Sequence, residues 1–379
     1  MPRMETADIE TDLSLFKYDN LEQLPAAYRE LEAEERTARI ESALEELGDD
    51  VVVLGHNYQR KEIVEHADFI GDSYQLSKEA ANSDAEYVIF GGVTFMAETA
   101  DVITDDDQTV ILPSMEASCP MAGMAEALQV DAAWAEITAA APDKDIVPVT
   151  YMNSYADLKA FTAEHGGAIC TSSNASDVFE WALDKGDAVL FMPDKYLGIN
   201  TAYDLGLEDS AVAWDPWDPE GTDAEEAADA EIILWEGYCQ VHERFRASHI
   251  EEIREEHEDV NVVVHPECRR EVVEAADVVG STSTITETVA NAEPGEKWAI
   301  GTEIHLANHL DRWYPEVEVL PLCGDACMDC NAMRQIDPNY LAWVLEELVE
   351  GRERNVIEVP EREAELAELS VQRMLDLAE

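Results

Sequence analysis

The chain contains a threefold internal repeat, and this repeat restricts the fold more than any other feature of the sequence. Each copy, called a block below, opens with a strand-like apolar run that ends in polar residues. The three runs are DDVVVLGHNYQ, DIVPVTYMNSY and VNVVVHPECRR. A helical stretch and a small polar turn follow in each block, and two further apolar strands close it. Strands that alternate with helices predict parallel sheets that are covered by helices.

We therefore predict an α/β protein of three repeated three-layer α/β/α domains, with short parallel sheets around a pseudo-threefold axis and a central active site. Ligands of open parallel sheets bind at the carboxyl ends of the strands, so three such domains would direct their strand ends at one cavity. The predicted parts are an N-terminal helical segment at 1–48, domain 1 at 49–125, domain 2 at 126–242 and domain 3 at 243–330. We expect residues 331–379 to complete domain 1.

The sequence is strongly acidic, with 84 acidic residues, 24 basic residues and a formal net charge of −60. Nucleic acid is excluded as a partner, because binding to its backbone requires a basic surface. The acids are spread along the chain, and we interpret them as adaptation to a salt-filled cytoplasm. The start of the sequence has no apolar signal core and no apolar run approaches 18 residues. We therefore expect a cytoplasmic protein that does not contact a membrane.

Each block ends its last strand on a cysteine. These are Cys119, Cys239 and the group of Cys323, Cys327 and Cys330. The repeat therefore supplies three equivalent thiolates, one per domain, to a common point. Three thiolates fit a four-iron cluster in which one iron has no protein ligand. Zinc remains an alternative, because the group in the third block could complete a tetrahedron with one more ligand.

Two further cysteines, Cys170 and Cys268, have no counterparts in the other blocks. In a reducing cytoplasm an odd number of cysteines indicates metal binding, catalysis or buried thiols rather than a disulfide framework. We expect these two cysteines to be small buried residues.

Polar residues recur at equivalent places in the blocks. The ends of the first strands carry His56, Tyr58, Tyr151, Asn153, His265 and Glu267, and the turns that lead into helices carry Ser73, Ser172 and Thr282. His242, Glu98 and Glu303 are weaker candidates. Ser73, Ser172 and Thr282 also have a purely structural interpretation, because serine and threonine at such turns often cap helices. No arginine occurs between Arg60 and Arg244, so the first two blocks must hold an anion with lysine, histidine, hydroxyls or helix ends.

The motifs GHNYQ, DFIGDS, FMAETA, CTSSNA, PDKYLG, WEGYCQVHE, HPEC and GSTS lie between residues 50 and 345. In combination they resemble the quinolinate synthase family, iron–sulfur enzymes of NAD biosynthesis. The resemblance implies three homologous domains and a [4Fe-4S] cluster that is held by Cys119, Cys239 and Cys330. The NAM that follows Cys330 favours it over Cys327, although the C-x3-C-x2-C spacing differs from the usual C-x2-C-x2-C of bacterial members. Whether Cys323 and Cys327 form a disulfide stays open.

The resemblance also implies a reaction and a set of site residues. Iminoaspartate and dihydroxyacetone phosphate would condense to quinolinate with loss of phosphate and two waters, and an open iron would act as Lewis acid. Proton transfer is assigned to Glu267 and Tyr58, with His265 as a third catalytic candidate. The implied substrate contacts are His56, Ser73, Tyr151, Met152, Asn153, Ser172, His242, His265, Pro266, Glu267, Ser281 and Thr282.

Two alternatives stay open beside this function. The first is another [4Fe-4S]-dependent hydro-lyase, and the second is a zinc-stabilised binding protein without catalysis. The expected partners are the two small substrates, and a transient contact with an enzyme that produces iminoaspartate is a further expectation.

Overall fold

The computed structural model describes residues 23–105, 107–218, 224–324 and 327–377. The chain enters the first sheet through α1 (Ala26–Arg29) and α2 (Ala33–Leu47). The helix α2 ends at Gly48, where φ is 57°, a conformation that glycine adopts without the steric cost of a side chain. The predicted helical segment at 1–48 lies in part outside the described residues.

The first sheet has four parallel strands in the order β2-β1-β3-β4. The strands are β1 (Val51–His56), β2 (Phe69–Gly71), β3 (Tyr87–Gly91) and β4 (Thr109–Ile111). The helices of this block are α3 (Lys61–Val64), α4 (Ser73–Asn82) and α5 (Thr94–Ile103). All six residues of β1 are buried, as expected for a central strand of a parallel sheet with both faces covered.

The second sheet has five strands in the order β6-β5-β7-β9-β8. The strands are β5 (Ile146–Tyr151), β6 (Ala168–Cys170), β7 (Ala188–Met192), β8 (Ala211–Trp214) and β9 (Ile232–Trp235). The helices are α6 (Ala127–Ala140), α7 (Ala156–Glu164), α8 (Ala175–Lys185), α9 (Lys195–Asp204) and α10 (Ala224–Asp229). The edge strand β8 pairs in parallel with β9 and was not identified from the sequence.

The third sheet has four strands in the order β11-β10-β12-β13. The strands are β10 (Val260–Val264), β11 (Val278–Val279), β12 (Lys297–Gly301) and β13 (Glu318–Pro321). The helices are α11 (Ala247–Glu256), α12 (Arg270–Ala275), α13 (Thr282–Ala290) and α14 (Ile304–Trp313).

The three sheets share one strand order. In each block the second strand lies at an edge, followed by the first strand, the third strand and the strand that precedes the block's cysteines, and block two adds β8 beyond the last of these. Every pairing within the sheets is parallel. The prediction of an α/β fold with repeated short parallel sheets flanked by helices is therefore confirmed.

The C-terminal residues contribute to two cores. They form α15 (Asn331–Arg334), α16 (Pro338–Val349) and α17 (Glu361–Leu377). Leu341 and Leu345 of α16 pack into the core of the first sheet, whereas Val371 and Met374 of α17 pack into the core of the second. The domain boundaries given above stay a prediction. Within the ranges that the structure describes, no helix combines the length and apolar character that crossing a membrane requires.

Candidate active site

A cavity at the carboxyl ends of the strands is lined by residues of all three blocks. The predicted site residues that line it are His56, Tyr58, Ser73, Cys119, Tyr151, Met152, Asn153, Ser172, Cys239, His242, His265, Glu267, Thr282 and Cys330. Pro266 and Ser281 do not line it. The Pro266 carbonyl accepts a hydrogen bond from Asn200, and the Ser281 hydroxyl caps α13.

Strand register explains why these side chains meet. Gly55 of β1 pairs with Gly91 of β3, and Val264 of β10 pairs with Gly301 of β12. The first and third strands of these blocks therefore end at the same level. Residues that follow these strands, such as His265, face the space where the sheets converge.

The three block-ending cysteines have the same local structure. Cys119, Cys239 and Cys330 each precede a short helical turn, and backbone N–H groups of that turn donate hydrogen bonds to the sulfur. The donors are Met121 and Ala122 for the first thiol, His242 for the second, and Ala332 and Met333 for the third. This arrangement aims all three sulfurs into the cavity and prepares them to carry negative charge.

Without a cation, however, the thiols are held neutral. Burial raises the pKa of Cys119 to about 11, that of Cys330 to about 12, and that of Cys239 well above its usual value. A metal that binds such thiols deprotonates them. Three thiols from three blocks in one cavity thus fit a thiolate-bound metal group. A smaller group of donors also lies here, because Cys239, His242 and Glu267 offer ligand atoms within 4.8 Å of one another.

The other cysteines are not available to the cavity. Cys170 and Cys268 are fully buried in the cores of the second and third blocks, which confirms the expectation from the sequence. Cys323 and Cys327 form a disulfide. Cys330 is therefore the free thiol of its group.

A chain of hydrogen bonds runs through the site from the first block to the third. The Tyr58 hydroxyl lies 2.6 Å from the Thr302 hydroxyl, which lies 2.9 Å from Nε2 of His242. Nδ1 of His242 lies 2.6 Å from Oε2 of Glu267. An ionised carboxylate can only accept, so Nδ1 donates to Glu267. With a neutral imidazole, Nε2 then accepts from Thr302, and Thr302 accepts from Tyr58.

Glu267 is the acidic centre of this network. Burial by itself would raise its pKa, but the nearby His265 and His242, together with hydrogen bonds from His242 and Tyr151, lower the pKa of Glu267 to about 2. The side chain is therefore ionised at neutral pH. The rings of His242 and His265 stack with centroids 4.4 Å apart.

Two imidazoles and two phenols on the cavity wall, those of His56, His265, Tyr58 and Tyr151, are neutral near pH 7. Burial lowers the pKa of His56 to about 4, and burial together with the neighbouring His242 lowers that of His265 to about 3. Burial also raises the pKa of Tyr58 and of Tyr151 well above the usual value. These groups can donate or accept hydrogen bonds near pH 7 without adding charge to the cavity.

Hydroxyls and helix ends are the groups of the cavity wall whose chemistry suits anions. Among the described residues that line the cavity there is no lysine or arginine. Ser73 is the first residue of α4 and Thr282 is the first residue of α13, where helix N-termini favour negative charge. The Ser283 hydroxyl donates to Asp72 at 2.6 Å and joins these two helix ends.

Three polar residues of the site were not predicted from the sequence. Thr302 directly follows β12, so the rule that ligands lie at carboxyl ends of strands could have identified it. Asn200 donates from Nδ2 to the carbonyls of Pro266 and Cys268 at 2.8 and 2.9 Å. The carboxylate of Asp194 accepts the Cys239 amide at 3.0 Å. Asn200 acts across blocks, and Asp194 reaches a residue 45 positions away in its own block, which a local sequence pattern does not show.

The fold and the site define a three-block α/β enzyme with a thiol-rich candidate metal site at its centre. A family model described as NadA, quinolinate synthetase A protein, matches residues 38–376. The chain belongs to the quinolinate synthase family, which confirms the resemblance seen in the motifs, and it is an enzyme of NAD biosynthesis.

Similar proteins cover the chain almost completely. Quinolinate synthase of Haloarcula marismortui is 78% identical over 374 residues, which is 99% of this chain and 100% of the relative. That of Halobacterium salinarum is also 78% identical, with the same coverage. Quinolinate synthase of Rhodopirellula baltica is 46% identical over 362 residues, covering 92% of each chain.

Proposed function

We propose that this enzyme condenses iminoaspartate with dihydroxyacetone phosphate to quinolinate, releasing phosphate and two waters. We also propose that Cys119, Cys239 and Cys330 hold a [4Fe-4S] cluster. The observation that carries the proposal is the presence of three free thiols, one per block, in one cavity with imidazoles and an ionised carboxylate. When bound, such a cluster supplies a Lewis-acidic iron without a protein ligand.

The cavity suits two anionic substrates. Hydroxyls of Ser73, Ser172 and Thr282 and the N-termini of α4 and α13 would bind phosphate and carboxylate groups. Neutral His56 and His265 can donate further hydrogen bonds. Tyr151, Met152 and Asn153 follow one another at the end of β5 and would position the substrate beside the thiols.

Protons would move through the hydrogen-bonded chain. Glu267 is ionised at neutral pH and can accept a proton, whereas Tyr58 is a protonated phenol and can donate one. His242 and Thr302 connect the two groups, so a proton lost at one end of the chain can be replaced from the other. Nδ1 of His265 accepts a hydrogen bond from the Glu267 N–H at 3.3 Å. This contact would hold the loop that carries the Glu267 carboxylate.

The net charge and the need for iminoaspartate support a proposal about the compartment and the partners of the enzyme. A net charge of −60 suits a salt-rich cytoplasm and opposes binding to nucleic acid. Because iminoaspartate must be produced by another enzyme, we expect transient contact with that enzyme. The rate at which the two enzymes associate would depend on the ionic strength, since the acidic surface repels other acidic proteins.

Metal analysis of anaerobically purified protein tests the proposal. We expect a brown protein with about four irons and about four sulfides per chain that forms quinolinate from the two substrates. A colourless zinc protein would contradict the cluster and favour a zinc site, for which Cys239, His242 and Glu267 offer a compact group of donors. An iron–sulfur protein that does not form quinolinate would favour a different hydro-lyase.

A second experiment tests the role of Glu267. Glu267→Gln keeps the shape of the side chain but removes the proton acceptor, so we expect kcat to fall by about 100-fold or more. Iron content should not change, because Glu267 is not among the three thiol ligands. Wild-type turnover in this variant would exclude Glu267 as the proton acceptor.

A further inference from the structure

Two fully buried carboxylates bind the backbone amides of two of the three cavity cysteines. Oδ2 of Asp194 accepts the Cys239 N–H at 3.0 Å, and Oε1 of Glu303 accepts the Cys330 N–H at 3.0 Å. Both side chains have no exposed surface. Burying a carboxylate costs free energy unless hydrogen bonds compensate for the lost water.

Each carboxylate also caps a helix with its other oxygen. Asp194 is the N-cap of α9, and its Oδ1 accepts the Leu197 N–H at 2.8 Å. Glu303 is the N-cap of α14, and its Oε2 accepts the His305 N–H at 2.6 Å. A single side chain therefore joins the start of a helix to a cysteine on a separate loop.

The two residues occupy the same place in the repeat. Each lies two residues after the third strand of its block, β7 for Asp194 and β12 for Glu303. The equivalent residue in the first block is Val93, two residues after β3. There Thr94 donates to the Ala117 carbonyl from both N and Oγ1, at 2.9 and 3.1 Å. The first block thus holds its cysteine loop without a carboxylate.

The loop that carries Cys239 lies close to the start of α9. The Lys195 N–H donates to the Gly237 carbonyl at 2.9 Å. A side chain at Gly237 would place its Cβ 2.3 Å from the Pro193 carbonyl oxygen. Only glycine permits this approach, and it brings the Cys239 amide within reach of Asp194.

We propose that Asp194 and Glu303 are positioning residues that lock two of the three cluster-binding cysteines in place and slow the loss of iron. The inference rests on the proposed function, because it requires a cluster on Cys119, Cys239 and Cys330. Each of the two locked cysteines is held at its amide by a carboxylate and at its sulfur by the following helical turn. Partners that orient metal ligands in this way strengthen binding by restricting the ligand to its bound geometry.

The test compares Asp194→Asn and Glu303→Gln with the wild-type holoenzyme. An amide keeps the size of the side chain but offers one accepting oxygen, so its NH2 group opposes the donors that the second carboxylate oxygen accepted. After anaerobic loading, iron release to a chelator should be about tenfold faster or more in both variants. Asp101→Asn is the matched control, because Asp101 accepts the Val359 amide at 2.8 Å outside the cavity lining. It should release iron at the wild-type rate.

A second measurement separates a cluster effect from a general loss of stability. The electron paramagnetic resonance spectrum of the loaded, reduced protein should also change in both variants, because the cysteines are no longer held in the same orientation at the cluster. Melting of the cluster-free proteins, followed by circular dichroism, reports the fold itself.

Each result supports or contradicts a separate claim. Wild-type protein that binds no iron would contradict the proposed function. A loaded wild type with variants that match it in iron release and in the spectrum of the cluster would overturn the positioning role. If Asp194→Asn does not fold, Glu303→Gln decides the matter. If neither folds, the carboxylates support the fold rather than the cluster, and the inference is wrong.

Discussion

At the scale of residues, three positions separate Cys327 from Cys330, yet only Cys330 lines the cavity. Cys327 is joined to Cys323, and Cys330 is the N-cap of α15, whose first N–H groups point at its sulfur. A thiol held by helix amides is prepared for the negative charge that metal binding requires.

Alanine variants of the cysteines test this assignment. Cys330→Ala should abolish the normal cluster and quinolinate formation, because two thiolates cannot maintain the site. Cys323→Ala and Cys327→Ala should keep both, since neither of these two disulfide-bonded sulfurs lines the cavity. Iron content and anaerobic turnover are measured on the same preparations. A cluster that survives in Cys330→Ala but not in Cys327→Ala would mean that the third ligand is misassigned.

The role proposed for Thr302 rests on its two hydrogen bonds in the structure. Thr302→Val keeps the volume of the side chain but removes the hydroxyl that connects Tyr58 to His242. We expect kcat to fall by about tenfold to a hundredfold with unchanged iron content. Thr162→Val serves as control, because it removes a buried hydroxyl that bonds Thr150 away from the cavity. Equal turnover in the two variants would exclude the proton path.

At the scale of elements, helix α5 carries a carboxylate whose burial opposes folding at neutral pH. Burial raises the pKa of Asp101 from 3.8 to about 6. The hydrogen bond from the Val359 N–H opposes this shift, and the charge of Glu358 adds a smaller upward contribution. The folded state therefore binds a proton that the unfolded state releases between these two pH values. Stability from this group is present below about pH 4 and is lost as the pH rises to about 6.

Asp101→Asn should remove this pH dependence, because an amide oxygen can still accept the Val359 amide without a charge. The free energy of unfolding of the variant minus that of the wild type should increase from pH 4 to pH 6, by on the order of 2 kcal/mol. Chemical denaturation at constant high salt provides the measurement. A difference that is independent of pH would show that Asp101 is not perturbed.

At the scale of the whole molecule, charge repulsion is the dominant electrostatic feature. The 84 acidic residues exceed the 24 basic residues by 60, so most carboxylates have no basic partner with which to pair. At about 1 M salt the Debye length is about 3 Å, and this repulsion is largely screened. In dilute buffer it acts across the molecule and opposes the compact state.

We therefore expect the folded enzyme to lose structure below roughly 0.5 M salt. Circular dichroism during stepwise dialysis against decreasing potassium chloride follows the transition. Because the effect is one of screening, sodium chloride should act in the same way. An unchanged spectrum in dilute buffer would contradict the adaptation to salt.

Local patterns of the sequence were sufficient to predict the three-block α/β fold and most of the cavity lining. The reason is that strands and turns follow from nearby residues, and parallel strands place their carboxyl ends together whatever their helices contain. His56, Tyr151 and His265 all end or follow a first strand, so their common location could be inferred from position alone.

Contacts between blocks were decided by the tertiary structure. Asn200 reaches Pro266, Thr302 joins Tyr58 to His242, and α17 packs on the second sheet, although each pair is distant in sequence. Hydrogen bonds of this kind depend on distances of about 3 Å, and those distances arise only after the sheets pack against one another. The repeat therefore predicts which residues approach the centre, and packing determines which of them bind each other.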